Sequence, residues 1–508
     1  MFEGHPKGLW ALALANTGER FGYYTMLAVF FLFLQHNFGF NVGVAGSIQS
    51  AFLGIVYFVP LFGGILADKF GYGKMVTIGI LVMFLGYLLL ALPLGAGTMA
   101  LAVMVAALLF VCVGTGLFKG NLQVLVGNLY DDPKYSAKRD EGFSIFYMAI
   151  NLGSMFAAAA ALGVMGYVQE QYAVSKADSY HFAFAVACVS LIFSIIIYYV
   201  FRGTFAHADR AKAVAAGATE VVEEKLTPAQ TKERIVCLCL VFAVVIFFWM
   251  AFHQNGTTMT QFAEVYTAKS DSGISSLMFN VFNLVLAIVA VYGLLNIFQS
   301  KTVNGKLIAA ILLLASGGYL VYQAMNVTGS VTVDAPIFQQ FNPCFVVALT
   351  PIVMLVFGWL AKRGKEPSSP MKIGLGMLVA GAGFVLLLLG SMGLPTPVEQ
   401  GVALENGTAT LVSPNWLIST YFVLTIAELF LSPIGISFVS KVAPPQYKGM
   451  MMGGWFVATA IGNFLVAVPA LLWGSLPLYI VWGVLIAVCL VSATFIFAIL
   501  KRLEEVAK

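Results

Sequence analysis

Fourteen apolar stretches, separated by mostly short polar connections, dominate the chain. They run over about 8–36, 43–67, 75–94, 98–127, 142–168, 180–201, 235–262, 274–299, 305–326, 336–361, 372–394, 416–440, 449–473 and 477–500. Most are close to or above the ~20 residues a helix needs to cross the hydrocarbon core of a bilayer. The pattern predicts an all-α membrane protein with fourteen spanning helices. The longest polar connection, about 203–234, divides them into six and eight. It reads as a tether, with a surface amphipathic helix expected around 209–222.

A short echo relates the two parts. Gly64-Ile65-Leu66-Ala67-Asp68-Lys69-Phe70-Gly71 follows the second stretch, and Gly358-Trp359-Leu360-Ala361-Lys362-Arg363-Gly364 follows 336–361. If these turns correspond, 336–361 is the second helix of the second part. The hairpin at about 274–326 is then an insertion between that part's first and second helices. The expected organisation is a bundle of six helices over 1–202, a linker over 203–234, and a second bundle with the inserted hairpin over 235–508.

Composition excludes a soluble globular domain. Of 508 residues, 60% are hydrophobic and 10% charged, and the mean hydropathy is +0.91. The positions of the basic residues say more than the net charge of +4. Alternate connections hold 23 of the 27 lysines and arginines, and the opposite set holds only Lys176 and Lys269. By the positive-inside rule both chain ends are expected in the cytoplasm. The first stretch is too long and too charged for a cleaved signal peptide and is expected to stay as a helix. Six cysteines, all in apolar stretches, suggest neither a disulfide framework nor a zinc site.

Four ionisable residues lie well inside spans: Glu19, Arg20, Lys119 and Glu428. Each costs about 2.5–3.5 kcal/mol on insertion scales, so each must face water or a partner. A static pair holding helices together is one reading; a shared aqueous cavity is the other. Polar residues recur at helical spacing around them: Asn16, Arg20, Tyr23 and Tyr24; Thr115, Lys119 and Gln123; Tyr147, Asn151 and Ser154. Three further sets are Trp249, His253 and Thr257; Thr425, Glu428 and Ser432; and Trp455, Thr459 and Asn463. One such stripe could be interhelical glue; six on six helices favour a lined cavity. Arg20 and Lys119 suit a carboxylate, Glu428 an ammonium, and asparagines amides. An amino acid or short peptide fits that set. No nucleophile–base pair or metal set accompanies it, which argues against an enzyme.

Several segments resemble the proton-coupled oligopeptide transporters of the major facilitator superfamily. They are Glu19-Arg20-Phe21-Gly22-Tyr23-Tyr24, Gly116-Leu117-Phe118-Lys119, the block from Phe143 to Ser154, Phe248-Trp249, and Glu428-Leu429-Phe430-Leu431-Ser432-Pro433-Ile434-Gly435. The resemblance implies a major facilitator fold of two six-helix bundles, here with one extra transmembrane hairpin. It implies uptake of di- and tripeptides with protons by alternating access, with no cofactor beyond the coupling proton. Arg20 and Lys119 would bind the peptide carboxylate, and Asn151, Asn342 and Glu428 its amino end. Tyr23, Tyr24, Tyr57, Trp249, Ser432 and Trp455 would line side-chain pockets, with Tyr147 on the Asn151 face. A Lys119–Glu428 pair would compete with the zwitterion for the same charges.

The chain departs from the family pattern where protons are handled. Asn16 stands where a glutamate is usual, His253 where an acid precedes Gln254, and Gly120 where proline is common. The expected coupling set is therefore Glu19, Arg20, His253, Lys119 and Glu428, with Glu19 and His253 sharing the missing acids' role: a proton on His253 would weaken its attraction to Arg20 and strengthen a contact to Glu19. His36, His181 and His207, near interfaces or in the linker, are given none. The short 394–415 connection suggests a bacterial inner membrane. A functional monomer in a lipid bilayer, with no nucleic-acid partner, is expected. Carriage of amino acids, nitrate or other small anions and zwitterions, or peptide sensing without transport, are the competing readings.

Overall fold

The structure is a computed structural model describing residues 4–135, 138–209, 226–444, 447–474 and 476–507. The first part of the chain folds into α1 (Lys7–Phe38), α2 (Val42–Phe58), α3 (Pro60–Phe70), α4 (Tyr72–Leu90), α5 (Thr98–Asn128), α6 (Arg139–Tyr172) and α7 (Lys176–Val200). The second begins with α8 (Pro228–Phe252), α9 (Thr258–Val265), α10 (Val281–Gln299) and α11 (Val303–Asn326). It continues with α12 (Phe341–Lys362), α13 (Ser369–Gly390), α14 (Pro397–Glu405), α15 (Asn415–Val442), α16 (Lys448–Leu465), α17 (Ala467–Leu472), α18 (Leu478–Ala498) and α19 (Leu500–Ala507). Thirteen spans among the described residues are long and apolar enough to cross a membrane. The long α1, which carries the polar turn 16–24, is additional to them. The chain is a multi-pass membrane protein. The amphipathic helix expected around 209–222 falls almost wholly outside the described residues.

Three spans that read as single helices are broken. Between α2 and α3, Pro60 sits at the first position of α3, where a missing N–H costs nothing. Between α8 and α9 the chain makes a 3₁₀ turn over His253–Gly256. There the Gln254 side chain replaces helical hydrogen bonding, donating to the Met250 carbonyl (2.9 Å) and accepting from the Thr257 and Thr258 hydroxyls. The Trp249–His253–Thr257 stripe therefore loses its third member, because Thr257 is buried beyond the break. Between α16 and α17 the break falls at Val466.

In the first part α1 packs against both α6 and α7, and α4 packs along α5. Small residues permit the closest approaches: a Cβ on Gly22 would strike the Ser190 hydroxyl of α7. The Ser194 hydroxyl donates to the Ala15 carbonyl of α1 (2.6 Å). In the second part α13 packs against α15 and α18, and α16 against α8. Two crossings join the parts in a related way: α2 packs on α16 and α17, and α12 packs on α6.

The extra hairpin is α10 with α11, and most of its surface faces away from the protein. It starts later than the apolar pattern indicated. Ser270–Ser272 instead forms strand β1, antiparallel to β2 at Ser330–Thr332, and a 3₁₀ turn spans Ile274–Phe279. The two strands close the hairpin's base. Its contacts with the bundle include Tyr292, whose hydroxyl donates to the Val347 carbonyl (3.2 Å), and Phe282 against Phe156.

Candidate functional site

The polar residues converge where α1, α2, α5 and α6 face α8, α12, α15 and α16. Glu19 and Arg20 of α1 form a forked pair, with Arg20 Nε and Nη2 donating to the two Glu19 carboxylate oxygens, each 2.5 Å away. Both residues are buried, and the Arg20 guanidinium lies 4.7 Å from the Tyr23 ring centre. Lys119 of α5 points its ammonium at the face of Tyr57 (4.2 Å), a cation–π contact. On the other side Asn342 of α12 donates to Glu428 (2.8 Å) and to the Thr425 hydroxyl (3.1 Å), both on α15.

Tyrosines link these ends. Tyr24 lies within electrostatic range of Arg20, Glu19 and Glu428, and Tyr57 within range of Arg20 and Glu428. Tyr147 is within range of Glu428, Tyr24 and Tyr57, yet 49% exposed in the middle of the bundle. That exposure marks a wet chamber. Asn151, one turn on, donates to the Tyr147 carbonyl (3.2 Å) and accepts from Ser154 at its own carbonyl. Trp249 and His253 stack with ring centres 5.0 Å apart, and His253 Nδ1 lies 2.6 Å from Asn463 Oδ1 on α16. Ser432 is half-buried on α15.

Five expectations change. Lys119 and Glu428 form no ion pair among the described residues, because each ammonium or carboxylate is already held by its own bundle's Tyr57 or Asn342. His253 does not contact Arg20; the charge within its range is Lys119. Tyr23 is buried between Arg20, Tyr24 and Phe52, so it supports Arg20 rather than lining a pocket. Trp455 is buried too, its ring filling the space a Cβ on Gly435 would occupy. The Thr115 hydroxyl turns away to Met83 of α4.

Cross-contacts between the two parts cluster at the face opposite the chain ends. Glu264 of α9 meets Lys176 of α7 at 3.2 Å, Lys269 at 2.9 Å and His36 of α1 at 3.8 Å. Nearby, Gln35 donates to Gln261 (2.9 Å) and Gln49 to the Gly256 carbonyl (2.8 Å). None of these was anticipated. The signal was present, since Lys176 and Lys269 are the two exceptions to the basic-residue bias, and both bind one carboxylate. The Glu264 pairs with Lys176 and His36 thus join the two parts at this face.

A family model described as the POT family matches residues 73–223 and 310–475. The chain belongs to the POT family. The "Di-/tripeptide transporter" of Lactococcus lactis subsp. cremoris is 28% identical over 493 residues, covering 90% of this chain and 87% of its own. The "Uncharacterized transporter YclF" of Bacillus subtilis (strain 168) is 29% identical over 500 residues, covering 94% and 90%. A crystal structure of a variant of peptide transporter POT in complex with alafosfalin superposes with a TM-score of 0.74 at 24% identity, covering 100% of this chain and 97% of its own. The fold of this POT-family protein is therefore of the major facilitator type, two six-helix bundles with an extra hairpin.

Proposed function

We propose that this chain is a symporter that takes up di- and tripeptides with protons by alternating access. One observation carries the reading: among the described residues Lys119 has no carboxylate partner and Glu428 no cationic one, and they face a tyrosine-lined chamber from opposite bundles. Those are the two ends a zwitterion needs. Lys119 takes the peptide carboxylate, Glu428 with Asn342 and Asn151 takes the amino end, and Tyr24, Tyr57, Tyr147, Trp249 and Ser432 contact the side chains. The names of the relatives point to the same substrate class.

Arg20 enters through the proton. A proton on Glu19 dissolves the fork and frees Nε and Nη2 of Arg20 to join Lys119 at the carboxylate. His253 provides a second proton-binding position beside Lys119. The distribution of basic residues supports cytoplasmic chain ends. The Glu264 contact then lies on the outer face, and a monomer in a bacterial inner membrane suffices.

Uptake of a labelled dipeptide into proteoliposomes, with and without an inward proton gradient, tests the proposal. Gradient-stimulated uptake, competed by unlabelled dipeptide and not by free amino acid or nitrate, is expected. Competition by nitrate alone would overturn the peptide assignment.

A further inference from the structure

We infer that Asn463 is a positioning residue for His253: it fixes the imidazole's tautomer and ties the ring to the opposite bundle. The inference builds on the proton role of His253 proposed above. Asn463 is fully buried on α16 and makes two side-chain contacts. Its Nδ2 donates to the Leu53 carbonyl of α2 (3.4 Å), which turns its Oδ1 toward His253 Nδ1 at 2.6 Å. An amide oxygen only accepts, so the imidazole must donate from Nδ1. The Nε2 lone pair is then the atom left to take a proton, and the proton it takes is the one it later releases.

The backbone is arranged for this contact. A Cβ on Gly462 would collide with the Ile246 carbonyl and approach Trp249 of α8, so glycine brings α16 against the turn before His253. Trp249 fixes the ring's other face by stacking at 22° between planes. Lys119 of α5 is the charge within range of the ring, and Tyr57 of α2 lies 6.4 Å away. Tyr57 is also one helical turn beyond Leu53, whose carbonyl Asn463 holds. One amide thus connects the histidine to the α2 segment that carries Lys119's aromatic partner, across the boundary between bundles.

Two measurements test the inference. Imidazole ¹⁵N spectra of histidine-labelled protein, with His253→Gln as the subtraction, report which nitrogen of neutral His253 carries the proton. Protonation at Nδ1 in the native chain and its loss in Asn463→Leu is the expected result. The same tautomer in both overturns the inference. This readout needs no transport, so it stands if the substrate assignment fails. In uptake, Asn463→Asp sets a carboxylate against Nδ1 and should move the pH of half-maximal coupled uptake alkaline by about one unit. The shift should vanish in Asn463→Asp/His253→Gln. An unmoved profile in the single variant, or a shift that survives without His253, overturns it.

Discussion

Breaking the Glu19–Arg20 fork is the most costly single change the site offers. Removing one partner of a buried, doubly hydrogen-bonded pair strands a charge, at about 3–5 kcal/mol. Glu19→Gln should lower the melting temperature of purified protein markedly, and Glu19→Gln/Arg20→Gln should recover much of the loss. Equal destabilisation in the single and double variants would show that the pair is not what is being lost. Lys119→Gln deletes a charge that has no carboxylate partner among the described residues, so stability should hold. Dipeptide binding by calorimetry should weaken about 10- to 100-fold, the ~1.5–3 kcal/mol of a charge-assisted hydrogen bond. Which residues are ionisable in an apolar run is written in the order of letters. Which way each one turns is not. Consecutive helical residues project about 100° apart and do not face each other, so the fork was invisible until the long Arg20 side chain was seen folded back onto Glu19. Tyr23 and Trp455 were misplaced for the same reason: a helical stripe identifies a face, and a neighbouring Phe52 or Gly435 decides whether that face is wet.

Helix positions were legible because hydropathy alone specifies a span. The breaks were legible only at Pro60, whose missing N–H is a sequence-level fact. At His253 the interruption depends on how the Gln254 amide bonds the surrounding backbone and hydroxyls, which no local rule announces. The contact uniting α1, α7 and α9 at Glu264 was likewise hidden in long-range geometry, although its lysines stood out by charge. Each partly exposed arm of that contact is worth about 0.2–1 kcal/mol. Glu264→Gln should therefore shift the balance between closed and open forms of this face by up to about tenfold. Spin labels at the exposed positions Gly95 and Glu405, one from each bundle, should report a larger population of long distances. An unchanged distance distribution would show that the glutamines Gln35, Gln49 and Gln261 hold the face without it.

For the molecule as a whole, the all-helical membrane character and the count of spans were contained in hydropathy. How the bundles meet was not, because the crossings of α2 on α16 and α12 on α6 join residues hundreds of positions apart. The hairpin carries none of the residues assigned to the chamber. Joining Ser272 to Ser330 through an Asn-Gly turn would keep the antiparallel pairing while removing 273–329. That variant should melt earlier, having lost the Phe282–Phe156 and Tyr292–Val347 contacts, but bind dipeptide with unchanged Kd; lost binding would give the hairpin a direct part in recognition. The Glu264 contact has a consequence for where the protein can work. Its lysine arms stand partly in solvent, whereas the charges in the chamber are sheltered, and screening at 0.1 M salt reaches about 10 Å. Brine on that one side would loosen the closure while leaving solute recognition intact, tying the carrier's cycle to the salinity at that face.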